Sequence, residues 1–273
     1  MLGKLIKHEF RATARLMLPL FLVVVLLSAF TRLTTGLVSH SPELPAALRI
    51  LNGLLVTGFV ISLIVVSILS VLLMVSRFYR NHMTDEGYLM FTLPASIHQL
   101  LWSKLIVSAV WFIATFLIDA LGILIAAYQG GMLREILNGF GSFFRELNGT
   151  YGFDAAAFLL EVLVLVLLSL IVSCLNFYAP IAIGHSFAGH TILLSVVFYF
   201  AIGIVWQIIG VFAGATGVGL LTESVSYVGP ETIRQTLSYV HGGMLTVIGA
   251  MAFVGAVMYF VTWIMLKKRL NLQ

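Results

Sequence analysis

The chain has 273 residues, of which 60% are hydrophobic and 10% are charged, and its formal net charge is +4. Six long apolar runs separated by short polar connections account for this composition, covering residues 17–38, 51–76, 105–128, 156–183, 191–213 and 244–266. Because a helix rises about 1.5 Å per residue, each run can cross a hydrocarbon core of roughly 30 Å. We therefore predict an all-α polytopic membrane protein in which residues 1–273 form one transmembrane domain with six transmembrane helices.

The basic charge lies at the ends of these runs, where it meets lipid head groups, so it does not indicate a nucleic-acid partner. Lys and Arg mark the cytoplasmic side of a membrane protein. With the N-terminus inside, ten of them fall on the inner side and five on the outer side, and all five lysines are among the ten. The outer five are Arg32, Arg49, Arg134, Arg145 and Arg234. This asymmetry predicts a multi-pass protein with both termini cytoplasmic.

Residues 1–16 have the pattern of an amphipathic helix. One helical stripe is basic and consists of Lys4, His8, Arg11 and Arg15. The opposite stripe is largely apolar and consists of Ile6, Phe10, Thr13 and Met17. Such a helix is suited to the inner membrane surface, against lipid. The alternative is an ordinary basic flank before the first span.

The most informative polar segment is 77–104, which reads RFYRNHMTDEGYLMFTLPASIHQLLWSK. Gly87 can end a helix in the left-handed conformation, and Pro94 stops a helix that arrives from upstream. Residues 96–99 match a capping box, so a new helix should begin there and continue into the third span. The segment therefore has the organisation of a hinge with two helical pieces, and a plain connecting loop is the alternative.

Both long outer connections also carry helix patterns. The first has an apolar edge at Leu133, Ile136, Leu137 and Phe140. In the second, Pro230 fits the first position of a helix and Gly242 fits its end. We expect both helices to lie against the outer membrane face or to fold back into it.

The chain shows little chemistry of its own. It has no HExxH or GxSxG motif, no catalytic residue stands out, and His185 and His190 are too far apart on a helix to suggest a metal site. Asp119, within the third span, is either a substrate-path residue or a buried polar group that reaches water or a helix neighbour. Glu161 lies close to the outer boundary, so it does not form a relay with Asp119. The chain is therefore not expected to be an enzyme by itself.

Three features together resemble the membrane (permease) subunit of a type-2 ABC exporter of bacteria. The first is the N-terminal sequence KLIKHEFRATARLMLP, which is similar to an interfacial elbow helix. The second is the segment RFYRNHMTDEGYLMFTLPASIHQLLWSKLI, which is similar to a cytoplasmic coupling helix. The third is the plan of six spans with outer helices. The string TDEGYLMFTLP is the most specific part. The likeness covers the whole chain as architecture, but only about 30 residues as sequence.

The resemblance implies a subunit of the bacterial cytoplasmic membrane, surrounded by lipid, that pairs with a second permease copy or paralogue. Two ABC ATPase subunits would bind on the cytoplasmic side and hold ATP and Mg, leaving no cofactor in this chain. The expected contact with the ATPase is formed by Thr84, Asp85, Glu86, Gly87, Tyr88, Thr92, Leu93 and Pro94.

The acid-poor interior favours an amphipathic or hydrophobic cargo, such as a peptide, a drug or a lipid-like molecule, moved outward by alternating access. Two other functions remain open. One is an ion-coupled secondary transporter, which would require paired intramembrane charges or an inverted repeat. The other is a membrane assembly or immunity factor that transports nothing.

Overall fold

A computed structural model of the chain describes residues 1–40, 45–84, 87, 95–128, 130–151, 154–187, 189–224 and 230–268, and the regular structure in these ranges is helical. Seven helices follow one another there: α1 (Leu2–His40), α2 (Ala46–Met83), α3 (Ile97–Ala127), α4 (Met132–Tyr151), α5 (Ala155–Gly184), α6 (Thr191–Ser224) and α7 (Pro230–Lys268). Every helix except α4 contains a stretch that is long and apolar enough to cross a membrane. The predicted all-α, six-span polytopic architecture is confirmed.

The chain forms two compact units, and the first consists of Met1–Phe78 and His98–Arg134. It contains α1, most of α2, and α3. The core of this unit is formed by buried apolar side chains from all three helices: Met17, Phe21, Val24, Phe59, Val66, Met74, Val107 and Trp111. The three predicted spans in this half of the chain therefore pack into one bundle.

The N-terminal amphipathic pattern is used differently from the prediction. The predicted elbow over 1–16 and the first predicted span form one continuous helix, Leu2–His40. Its apolar stripe packs against protein rather than lipid, since Phe10 stacks on Trp111 and Met17 belongs to the core of the unit. An apolar stripe of this kind can pack against a neighbouring helix or against lipid, so sequence periodicity alone cannot distinguish the two.

The second unit consists of Tyr79–Ile97 and Glu135–Gln273, and in it α5 packs along both α6 and α7. The cytoplasmic half of α5, in the predicted orientation, supplies most of the burial: Cys174, Leu175, Tyr178, Ala179 and Ala182 are each at most 2% exposed. At the end of α5, the backbone of Gly184 approaches that of Ser195 on α6 so closely that a Cβ on Gly184 would lie 2.6 Å from the Ser195 nitrogen.

The predicted end of a helix at Gly242 is wrong. The helix does begin at Pro230, as expected, but it continues through Gly242 and Gly243 to Lys268. Glycine in a helix costs only about 1 kcal/mol relative to alanine. An interrupted backbone inside hydrocarbon would lose hydrogen bonds worth several kcal/mol, so the helix continues into the sixth span.

The predicted outer helix between the third and fourth spans is present as α4. Its apolar edge is exposed, with Leu137 and Phe140 both more than half accessible. Exposure of such a stripe on a helix that is otherwise polar suits a position in the outer membrane interface.

The structure supplies two matched positions for testing the predicted orientation. Gly3 on α1 and Gly139 on α4 are both exposed, and a Cβ at either position meets no described atom within 4 Å. In a Cys174→Ser background, Gly139→Cys should react with an impermeant maleimide added to intact cells, because α4 should lie outside. Gly3→Cys should react only after the membrane is opened. The opposite pattern would invert the topology.

The close approach at Gly184 gives a prediction about stability. Gly184→Ala should lower the free energy of unfolding by roughly 1–3 kcal/mol, because the added methyl group forces α5 and α6 apart. Gly249→Ala is the control, since a Cβ at that position on α7 meets no described atom within 4 Å. Thermal unfolding in detergent micelles measures both variants, and an equally stable pair would disprove the helix contact.

Candidate functional site

Most of the predicted ATPase contact lies outside the described residues. Asp85, Glu86, Tyr88, Thr92, Leu93 and Pro94 fall there, whereas Thr84 and Gly87 are described. The Thr84 hydroxyl donates a hydrogen bond to the Arg80 carbonyl at 2.6 Å, and the Gly87 N–H donates to the Thr84 carbonyl at 2.7 Å. Thr84 and Gly87 therefore form a hydrogen-bonded turn just past the end of α2, within residues 77–104, the predicted coupling segment.

The last turn of α2 is enclosed by protein, although its sequence is polar. Asn81 and His82 are buried, and so is Met83. Within the second unit, the ring of Tyr79 packs edge-on against His185, with 5.3 Å between the ring centroids. This packing holds the start of the coupling segment against the end of α5.

The first turns of α3 form the end of segment 77–104. A buried ion pair holds them to α1. Lys104 on α3 donates a hydrogen bond to Glu9 on α1, and the two side chains are only 3% and 13% exposed. Two charges removed from water in this way stabilise each other, and losing either one leaves an uncompensated buried charge. Sequence reasoning counted Lys104 as a simple inner-side charge and did not consider Glu9.

A chain of hydrogen bonds reinforces this ion pair two turns further along α3. The indole N–H of Trp111 donates to the Thr13 hydroxyl at 2.7 Å, and that hydroxyl donates to the Glu9 carbonyl at 2.8 Å. We refer to Glu9, Thr13, Lys104 and Trp111 as the α1–α3 clamp. The clamp therefore holds α1 and the start of α3 together.

The other predicted site residues do not belong to the α1–α3 clamp. The predicted membrane-surface residues Lys4, His8, Arg11 and Arg15 are all exposed, so they are accessible to anionic head groups. Asp119 lies further along α3, and its carboxylate accepts a hydrogen bond from the Ser67 hydroxyl on α2 at 2.9 Å. Ser67 is thus the helix neighbour that was one of the two alternatives for Asp119.

A polar pair that the sequence analysis missed lies in the second unit. His241 on α7 lies 3.1 Å from both carboxylate oxygens of Glu161 on α5, and Phe158 packs edge-on against the imidazole. Both residues belong to candidate membrane spans. The miss follows from the incorrect helix end at Gly242, which placed His241 outside the membrane. In the described part of the chain, no three His, Cys, Asp or Glu side chains group as metal ligands would.

The α1–α3 clamp predicts a double-mutant result. Lys104→Met should destabilise the protein by about 3–5 kcal/mol, because Glu9 keeps a charge that has lost its partner. The double variant Glu9→Leu, Lys104→Met should recover most of that loss, since no isolated charge remains. Lys7→Met is the control, because Lys7 is exposed on α1. Denaturant unfolding in micelles measures all three, and a double variant at least as unstable as Lys104→Met would refute the coupling.

Comparisons with protein-family models, with curated proteins and with solved structures found no match to this chain. Its function must therefore be argued from its own residues. The residues that bear on function are the coupling segment, the clamp that holds α3 behind it, and the polar groups within the spans.

Proposed function

We propose that the chain is the permease subunit of a type-2 ABC exporter, which moves an amphipathic or hydrophobic substrate outward through the cytoplasmic membrane. The resemblance of residues 77–106 to a coupling segment supports this function. The observation that carries the proposal is the α1–α3 clamp, because a segment that receives force from a partner needs a rigid body behind it. A simple loop between two spans has no need of a buried ion pair at its far end.

The clamp indicates how movement would pass into the membrane. An ATPase that pushes on the coupling segment would displace the first turns of α3. The Lys104–Glu9 pair and the Trp111–Thr13 hydrogen bond would carry α1 along with α3. Motion of this two-helix body would open and close a path on alternate sides of the membrane. Interfaces of packed helices convert such small displacements into discrete states.

The proposal requires partner chains. Two ATPase subunits would bind ATP and Mg, and a second copy of this chain or a paralogue would complete the path. The exposed Lys4, Arg11 and Arg15 near the start of α1 would anchor that helix to anionic lipid, at about 1 kcal/mol for each residue close to the surface. This attachment would resist rotation of α1 when α3 is pushed.

Charge reversal in the coupling segment tests the proposal. The double variant Asp85→Lys, Glu86→Lys should reduce co-purification of the ATPase and uncouple ATP hydrolysis from export, because charge reversal at an interface can cost several kcal/mol. Membrane insertion should be unchanged. The matched control is Glu135→Lys, Glu146→Lys, which makes the same charge change on exposed residues of α4. Both variants are compared in reconstituted vesicles that contain the co-purified complex.

The variant Pro94→Ala distinguishes binding of the ATPase from transmission of its movement. It should leave the ATPase bound but weaken the stimulation of ATP hydrolysis by substrate. A loop that only connects two spans would give wild-type behaviour in all these variants. That result would remove the main support for an ABC permease.

The Glu161–His241 pair favours a second candidate function, an ion-coupled secondary transporter. A carboxylate and an imidazole within two neighbouring spans form the kind of intramembrane pair that proton-coupled transport uses. The two functions differ in their energy source. Transport driven by a proton gradient in vesicles without any ATPase, and lost in Glu161→Gln, would establish the ion-coupled transporter and exclude the exporter.

A further inference from the structure

A cleft of about 450 Å³ lies between α5 and α6 in the second unit. Its lining consists of aromatic and polar side chains together with one glycine: Ser173, Asn176, Phe177, Tyr199, Phe200, Gly203, Trp206 and Gln207. The rings of Phe177 and Tyr199 stack with 5.3 Å between their centroids. A volume of this size, with aromatic walls and a few polar groups, is typical of a small-molecule site.

The amide groups in this cleft lie at membrane depth. Asn176 is about 12 Å from the end of α5 at Gly184, at about 1.5 Å per residue. Its carbonyl oxygen accepts a hydrogen bond from the Trp206 indole at 2.9 Å. In the described structure, the amide nitrogen of Asn176 and the amide of Gln207 make no hydrogen bond, so both can bind a ligand. Polar groups at such depth are costly and usually functional.

A second cavity of about 290 Å³ adjoins the cleft and is apolar throughout. It lies among α5, α6 and α7 and is lined by Ile202, Val257, Met258 and other aliphatic side chains. Trp206 lines both spaces, so the two compartments meet at this residue. The bond to Asn176 fixes the indole in that position. A hydrogen-bonding compartment and an aliphatic compartment therefore lie side by side.

We propose that these two compartments are one binding site for an amphipathic molecule, which places a hydrogen-bonding head group against Asn176 and Gln207 and an aliphatic chain beyond Trp206. The site takes uncharged amide or hydroxyl head groups, since among the residues that the structure describes none with a charged side chain lines either compartment. If the proposed export function holds, this is where the cargo binds; only that part of the inference rests on the export function.

Tryptophan fluorescence tests the site without an ATPase. The full chain is placed in lipid nanodiscs and titrated with a brominated fatty amide, because bromine quenches a nearby indole. Quenching should saturate, and the saturating part should disappear in Trp206→Phe. Gly203→Leu should weaken the apparent affinity at least tenfold by filling the cleft.

Gly210→Leu is the matched control, because it lies two turns along the same face of α6, outside the cleft. At both glycines an added Cβ meets no described atom within 4 Å, and thermal unfolding of both variants checks that the larger leucine side chains leave the fold intact.

A second arm of the experiment distinguishes a free amphiphile from a bilayer lipid. Here the nanodiscs contain brominated phosphatidylcholine and no amide. If Gly203→Leu reduces the quenching of Trp206 in this arm while the amide shows no saturation, the occupant is phospholipid, and the assignment to an uncharged head group is overturned. Saturation by the amide, sensitive to Gly203→Leu but not to Gly210→Leu, assigns the site to a free amphiphile. Equal quenching of the two leucine variants in both arms would overturn the proposal, and would leave the ATPase experiment unaffected.

Discussion

The structure depends on one constraint, which is that backbone N–H and C=O groups inside hydrocarbon must bond to each other. This constraint explains why six helices run far past the length needed for a soluble core, and why α7 passes through Gly242 and Gly243 without a break. It also explains why helix-ending signals that are reliable in water fail within a span. Local propensity of about 1 kcal/mol is outweighed by the hydrogen bonds that an interruption would forfeit.

Once the helices exist, hydrophobicity no longer selects their neighbours, because lipid tails are as apolar as the side chains. Polar contacts between helices then contribute to the choice. In the first unit the Lys104–Glu9 pair and the Trp111–Thr13 bond join α3 to α1. In the second, His241 joins α7 to α5 through Glu161, and Trp206 joins α6 to α5 through Asn176. Each of these bonds contributes to determining which helices pack together and how far one is shifted along the other.

The same contacts connect architecture with the proposed function. In the proposed function, the clamp at the start of α3 would make α1 move with α3 when an ATPase pushes on the chain. The cleft beside Trp206, in the second unit, would bind the amphiphile. The clamp belongs to the first unit, whereas residues 79–97 of the predicted coupling segment and the cleft both belong to the second.

The sequence by itself determined the number of spans, the helical class and the helix starts at Ile97 and Pro230. These follow from run length and from capping chemistry, which are local. Only the tertiary structure decided that the apolar stripe around Phe10 packs on Trp111 and that Glu161 meets His241. Residues so far apart in the chain become partners through the packing of separate helices, and no local pattern records which helix will supply the partner.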